Sequence, residues 1–469
     1  MDDRASRHDE LQDNARRHLL QHFARNGAFG PDGGELLVLD RGEGCHVFDT
    51  RGRRYIDALS SLFCCQIGYS HGEEMAAASA EQINRLAFNT NWSTAHPPAI
   101  DLATELAARA PEGIEHVFFT CGGSEAVETA WKLVRHYHLA NGEPERTKAI
   151  ARDVAYHGVT LGALAFTGVQ RFREPFGPPA VPTTHVSNTL SVRDEGLEGA
   201  AATERLIGEM EQAILAEGPE TVAMIIAEPV QNAGGCLVPP EGYWAGLREL
   251  ADRYGIVLVA DEVITGFGRL GTLFGSEAVG AQPDVITCAK GITSAYAPMG
   301  AVLVHERVAA PLFDDKATLL HGVTFGGHPL AAAMALRNLE IFDREGVLAN
   351  VQALAPHLGA RMQELLDIPI VRAVRGMGFF WAAELSKDGA ELGFDDEERE
   401  RLLRGFMPGA LLEAGIIARA DDRGDAVLQI APPLVADAAL LDEIVDGLRR
   451  VLLRATEHMG IAASAAASS

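Results

Sequence analysis

The chain has 469 residues, 47% of them hydrophobic and 22% charged, the balance of a globular protein large enough for one big core and a second, smaller lobe. Its 65 acidic against 40 basic side chains leave a formal net charge of −25, which argues against a polyanion such as nucleic acid as partner. No apolar run reaches the roughly 18–20 residues of a membrane span, and the charged start MDDRASRHDELQDNARRH lacks a secretory core, so a cytoplasmic protein is expected.

Residues 1–34 read as a helix and a loop, an arm that orders by packing or dimerisation. Alternating apolar residues in LLVLDRGEGCHVFDTRGRRYIDALSSLF, broken by turns at Arg41–Gly44 and Asp49–Gly52, predict a β-hairpin or meander. From Gly72 to Ala108 the pattern is helical, interrupted by an aromatic loop at Phe88–His96. A strand at Val117–Thr120 then runs into two glycines. The helix that opens at Ser124 has one apolar stripe of Val127, Ala130, Trp131 and Val134.

Strands and helices alternate from there. Residues 147–155 lead into Tyr156-His157-Gly158. Leu206–Ala216 is helical, Val222–Ala227 is a strand ending at Glu228-Pro229, and Trp244–Tyr254 is a helix. Further strands follow at Ile256–Ala260, Val285–Ala289 and Ala301–Val304. This order predicts a mostly parallel sheet covered by helices on both faces. A long helix, Leu330–Glu345, leads to an α+β region with strands expected at Ile368–Val371, Gly378–Glu384 and Val427–Ile430, packed with the N-terminal meander. The division expected is therefore residues 1–75 and 330–469 in a small domain and 76–329 in a large one, with 460–469 a disordered tail of low complexity.

The chemistry lies in IVLVADEVITGFGRLGTLFGSEAVGAQPDVITCAKGITSAYAPMG, residues 256–300. Two buried strands end there on a carboxylate, Asp261, and on an amine, Lys290, and ligands of parallel sheets bind at such carboxyl ends. Gly266, Gly268 and Gly271 match G-x-G-x-x-G, but the strand ends five residues earlier and no full helix follows, so a dinucleotide site is rejected. The chain has only five lysines: 132, 148, 316 and 387 fall in polar contexts where solvation is the natural reading. Lys290 alone follows an apolar strand. A desolvated amine has a lowered pKa and attacks carbonyls to form a Schiff base, whereas the bland alternative is a lysine reaching from a strand end to water. The strand–glycine–Ser124–helix turn is either a helix cap or an anion site built from free N–H groups. Together, amine, strand-end acid and anion cradle specify pyridoxal phosphate, with Tyr156 placed to stack on its ring. The six cysteines show no C-x-x-C spacing and no histidine at zinc-finger distance; they read as free thiols, and no metal site is expected.

The segments VADEVITGFGR, CAKGITSAYAPMGAVLV, GGSEAVETAWKL, AYHG, AEPVQNAGG, HGVTFGGHPLAAA and IAPPL are similar to those of class III pyridoxal-phosphate aminotransferases of fold type I. The resemblance covers nearly the whole chain and comes closest to the amine:pyruvate (ω-) transaminases. It implies an α/β fold with a mostly parallel seven-stranded sheet flanked by helices, plus a smaller α+β domain from both termini. It further implies that Lys290 carries the cofactor's aldehyde as a Schiff base and then serves as general base. Asp261 would pair with the pyridine nitrogen, and Gly122, Gly123 and Ser124 would hold the phosphate, completed by Thr324 from the other subunit. Tyr156 and Val263 would sandwich the ring, with Glu228 and His157 supporting it. Phe23, Phe63, Trp92 and Tyr156 would line the substrate pocket. Arg419 would bind the keto acid's carboxylate, with Arg423 as the alternative because the loop to Ala431 is long.

The implied reaction moves an amino group from an ω-amine or ω-amino acid to a keto acid, pyruvate, in ping-pong fashion. Ser294-Ala295-Tyr296 favours pyruvate over the 2-oxoglutarate acceptor of 4-aminobutyrate or diamine enzymes, without naming the donor. An aminomutase or decarboxylating transaminase is a second reading. A regulator without turnover is the third; the −25 charge and the absence of a fused helix-turn-helix segment count against it. A homodimer is expected, with pairing of dimers into tetramers left open.

Overall fold

The computed structural model describes residues 3–29, 34–193, 195–314, 317–387 and 393–461; Lys316 and tail residues 462–469, for which solvation and disorder are expected, lie outside them. The N-terminal helix, Asp3–His18, has no apolar stripe and is tied down by polar contacts instead. The Gln12 amide donates to the Leu36 carbonyl at 2.7 Å and accepts from its N–H at 3.0 Å, and His8 Nδ1 lies 2.6 Å from the Thr50 hydroxyl.

The expected meander forms as β1 (Leu39–Glu43), β2 (His46–Asp49) and β3 (Arg54–Asp57), all antiparallel. Helices Gly72–Arg85 and Pro97–Arg109 flank the aromatic loop. The central sheet comprises β4 (Ile114–Thr120), β5 (Lys148–Arg152), β6 (Thr183–Val186), β7 (Val222–Ala227), β8 (Val257–Asp261), β9 (Val285–Cys288) and β10 (Gly300–His305). Their order is β4-β10-β9-β8-β7-β5-β6.

Every residue of β7, β8 and β9 is buried, and the two faces pack differently. Ile225, Ala227, Leu258 and Ala260 join one apolar cluster with Leu206, Met210 and Leu247 of the helices Gly199–Glu217 and Tyr243–Tyr254. Met224, Ile226, Val257 and Val259 point the other way, onto Val127, Ala130 and Val134 of helix Gly123–Ala140. Strand periodicity places successive side chains on opposite faces, so a strand covered twice must be apolar throughout. β10 alone runs antiparallel to its neighbours, β4 and β9. Residues 289–299, which include the single helical turn Lys290–Thr293, join it to β9, less chain than the roughly dozen or more residues of a parallel crossover.

Beyond helix Pro329–Arg344, β11 (Val371–Met377), β12 (Phe380–Leu385), β13 (Ile416–Ile417), β14 (Arg419–Asp421) and β15 (Val427–Ile430) follow. Four make an antiparallel sheet, β11-β12-β15-β14, while β13 joins the N-terminal meander in parallel with β3. The strand expected at 368–371 begins only at Val371. Ile368 and Ile370 are buried, but in a turn: the Ile368 N–H bonds to Leu365 and that of Val371 to Ile368. Apolar content alone does not separate a buried turn from a short strand. Among the described residues no helix is long and apolar enough to cross a membrane.

Candidate active site

Asp261 is the last residue of β8, and its side chain is 3% exposed. Oδ1 accepts from the Val263 N–H and the Thr287 hydroxyl, each at 3.1 Å, and Oδ2 accepts from His157 Nδ1 at 2.7 Å. His157 follows β5, which lies across β7 from β8, so the sheet's carboxyl end brings acid and imidazole together across 104 residues of sequence. His157 Nε2 is buried without a hydrogen-bond partner among the described residues.

Lys290 stands just past β9 with φ of 44°, a left-handed conformation that costs a non-glycine residue roughly 1–3 kcal/mol. Burial pushes its amine below the ordinary lysine range, against the opposing pull of Cys64, Asp261 and Glu228. The amine opens into a cavity of about 440 Å³ that also contains Gly122, Gly123, Ser124, Tyr156, His157, Glu228, Asp261 and Val263. Glu228 is 5% exposed; burial raises its carboxyl pKa, while it accepts from the Asn232 N–H at 2.9 Å and the Tyr156 N–H at 3.3 Å.

At the end of β4, Gly122 precedes an 18-residue helix starting at Gly123. Ser124 does not cap it: its hydroxyl accepts from the Val159 N–H at 3.2 Å instead. The first-turn N–H groups of the helix therefore face the cavity with no side-chain cap, which suits a phosphate. Close approach explains the glycines around it. A Cβ at Gly123 would sit 2.9 Å from Val263, and one at Gly158 (φ 112°) would sit 2.4 Å from the Ser124 hydroxyl oxygen. A buried acid, a buried low-pKa amine, an orphan imidazole nitrogen and a helix N-terminus in one cavity fit pyridoxal phosphate.

A second cavity of about 1050 Å³ shares Tyr156, Ile264 and Lys290 with the first. It is lined by Phe23, Phe63, Phe172, Arg419, Asp421 and Arg423, among others. Phe63 is buried edge-on against Phe380 at 5.7 Å, whereas Phe23 is 70% exposed and leans on Phe172 at 5.2 Å. Tyr156 meets Phe172 edge-on at 6.3 Å. The two candidate arginines differ sharply. Arg423 is clamped by Asp421, Nε donating to both oxygens at 2.9 and 2.8 Å and Nη2 to Oδ2 at 2.6 Å. Arg419, 3.9 Å from the same carboxylate, makes no hydrogen bond among the described residues. Burial, with Arg423 nearby, pushes its pKa down to about 10.

Two expected site residues lie elsewhere in their own chain. Trp92 lines a separate cavity of about 810 Å³ with Leu319–Val323 and Gly326, beside the exposed Thr324. The Asn91 amide donating to the Gly326 carbonyl at 3.0 Å, and His96 Nε2 bonded to the Gly327 carbonyl at 2.9 Å, hold its loop there. Cys64, Cys121, Phe172 and Asp421 border the two site cavities without having been singled out in the sequence. Asp421 was legible as half of the Asp–Arg alternation in RADDRGD; Phe172 carried no signal. The rejected G-x-G-x-x-G segment is a buried loop whose Arg269 donates to the Pro432 carbonyl at 2.6 Å and the Ser60 hydroxyl at 3.1 Å.

The family model of class III aminotransferases matches residues 30–452. A probable aminotransferase of Mycobacterium tuberculosis is 47% identical over 94% of each chain. The putrescine–pyruvate aminotransferase of Pseudomonas aeruginosa is 38% identical over 94% of this chain and 96% of its own. The diaminobutyrate–2-oxoglutarate transaminase of Halomonas elongata is 36% identical over 96% and 97%. Among solved structures, an (S)-enantioselective ω-transaminase from Thermomicrobium roseum superposes with a TM-score of 0.91 at 40% identity, covering 95% of this chain and 98% of that one. The ω-transaminase of Pseudomonas jessenii in complex with PMP superposes at 0.89 with 34% identity, covering 96% and 99%. The chain belongs to the class III aminotransferases, fold-type I enzymes that depend on pyridoxal 5′-phosphate.

Proposed function

We propose that the enzyme moves the amino group of an ω-amine or ω-amino acid to pyruvate. The observation that carries this is a substrate cavity walled by Phe23, Phe63, Phe172 and Tyr156, whose Arg419 guanidinium makes no hydrogen bond among the described residues. Aromatic walls suit a donor without a carboxylate next to its amine, and the arginine suits a keto acid. The putrescine–pyruvate relative supports the same acceptor. When bound, pyridoxal phosphate supplies the carbonyl that takes the amino group and a ring that withdraws electrons.

The chain's own groups do the rest. Lys290 Nζ, its pKa lowered by burial, takes the proton from the substrate's amine-bearing carbon. Asp261, oriented by His157, the Val263 N–H and the Thr287 hydroxyl, would pair with the ring nitrogen, and the first-turn N–H groups from Gly123 and Ser124 would hold the phosphate. Trp92 lines a surface cavity outside its own site and the exposed Thr324 stands beside it, which supports a homodimer whose second copy they complete. The β3–β13 pairing of the two chain ends supports a small domain of residues 1–75 and 330–469 beside a large one of 76–329. Six free cysteines fit the cytoplasm.

A panel of ω-amines and ω-amino acids assayed with pyruvate and with 2-oxoglutarate tests the reading. Alanine formation should exceed glutamate formation for the best donors. Turnover with 2-oxoglutarate alone would replace pyruvate as the acceptor.

A further inference from the structure

Five arginines line the substrate cavity, and four of them hydrogen-bond to at least one of three carboxylates. Arg25 forms a two-point pair with Glu400 at 2.5 and 2.9 Å, Arg171 and Arg404 both bind Asp422, and Arg423 is clamped by Asp421. Among the described residues the Arg419 guanidinium alone of the five makes no hydrogen bond, only a longer ion pair. Oδ2 of Asp421 lies between the two central cations, 2.6 Å from Arg423 Nη2 and 3.9 Å from Arg419 Nε. Both guanidinium groups face the aromatic wall of the same cavity, Arg423 5.8 Å from the Tyr156 ring and Arg419 6.0 Å from that of Phe63. Asp421 and Arg423 are 5% and 8% exposed, so the pair is desolvated and separating it leaves a charge uncompensated.

We propose that Asp421 decides how many carboxylates the acceptor carries: by occupying Arg423 it leaves Arg419 alone to receive one, so a monocarboxylate keto acid is taken ahead of a dicarboxylate one. This rests on the reading of the cavity as the keto-acid site. A dicarboxylate needs a second cation, and the nearest one is already held by a two-point ion pair whose geometry a substrate carboxylate can match only by displacing it. Like-charge repulsion from Asp421 adds to the penalty.

The experiment uses the holoenzyme, one good amine donor, and pyruvate or 2-oxoglutarate as acceptor. Asp421→Asn should raise the ratio of kcat/KM for 2-oxoglutarate to that for pyruvate by about tenfold or more, the worth of one charge-assisted pairing. Adding Arg423→Gln to Asp421→Asn should remove that gain. Binding of glutarate, a dicarboxylate without a carbonyl, should tighten by about tenfold in Asp421→Asn alone, read by calorimetry without turnover. An unchanged ratio in Asp421→Asn that retains its cofactor absorption overturns the proposal, as does a gain that survives in the double variant. Should Asp421→Asn lose its cofactor, Arg423→Gln decides: the released Asp421 would seize Arg419, and KM for pyruvate would rise about tenfold. An unchanged KM there also overturns it. A parent enzyme that aminates neither acceptor would instead sink the functional reading, while glutarate binding still judges Asp421.

Discussion

On the cofactor side of Lys290 the working groups stand at the ends of strands whose residues are all buried, and Asp261 is fixed by three donors from three parts of the chain. On the substrate side they stand on turns and on the three-residue strand β14. Phe23 is largely exposed, Phe63 sits at φ 63°, and Arg419 lacks a hydrogen bond among the described residues. Moving Asp261 would tear a ladder with neighbours on both sides, whereas moving Arg419 disturbs only one edge strand. The contrast separates two demands: chemistry requires preorganised groups, and a pocket that accepts both an amine and a keto acid in turn requires adaptable ones.

The largest effect should come from the rigid side. Lys290→Ala should cut kcat by at least about 10³-fold, the scale of a lost general base, and a rate within tenfold of the parent would refute its role. On the adaptable side, Arg419→Gln should lower kcat/KM for pyruvate by about 10²-fold, with a much smaller change in the half-reaction of an amine lacking a carboxylate. Equal losses for both half-reactions, followed by stopped-flow absorbance, would erase the distinction. Gly158→Ala forces a side chain onto φ 112° and against Ser124. Cofactor affinity should weaken by about ten- to a hundredfold, measured by equilibrium titration of the apoenzyme.

The smallest effect concerns pH, and the two sides should respond with opposite signs. Burial pushes the Glu262 carboxyl, next to Asp261, up to about 7, despite hydrogen bonds from Ser276 and Gly275. The folded state then holds a proton that the unfolded chain has released, so this group lowers stability as pH rises from about 4.5 to 7. Glu262→Gln should flatten that part of the plot of melting temperature against pH; superimposable plots would dismiss it. Asp421 is the reverse. Its burial is outweighed by Arg423, its pKa is lowered, and its contribution is lost as pH falls through the folded-state value.

The sheet was readable because Val222–Ala227 and the strands ending at Asp261 and near Lys290 are apolar throughout, a pattern demanded by two covered faces. The reversal of β10 follows from the short connection before it, and β14 was hidden because Arg419–Asp421 has no apolar alternation. Ser124 looked like a helix cap because serine before a helical stripe is one of the commonest caps. Only the fold showed Gly122 in that place and the Ser124 hydroxyl turned to Val159. Nothing local to Trp92 showed that its loop bonds to Gly326 and Gly327, away from the two site cavities of its own chain.

By itself, the sequence determined the buried strands, the single lysine and the acid at strand ends and the glycine turn before a helix, because local periodicity and solvation cost act residue by residue. Only the tertiary structure decided which of two arginines is free. Guanidinium groups four residues apart in sequence are chemically alike, and an aspartate between them becomes the partner of one through distance and angle that no local pattern encodes.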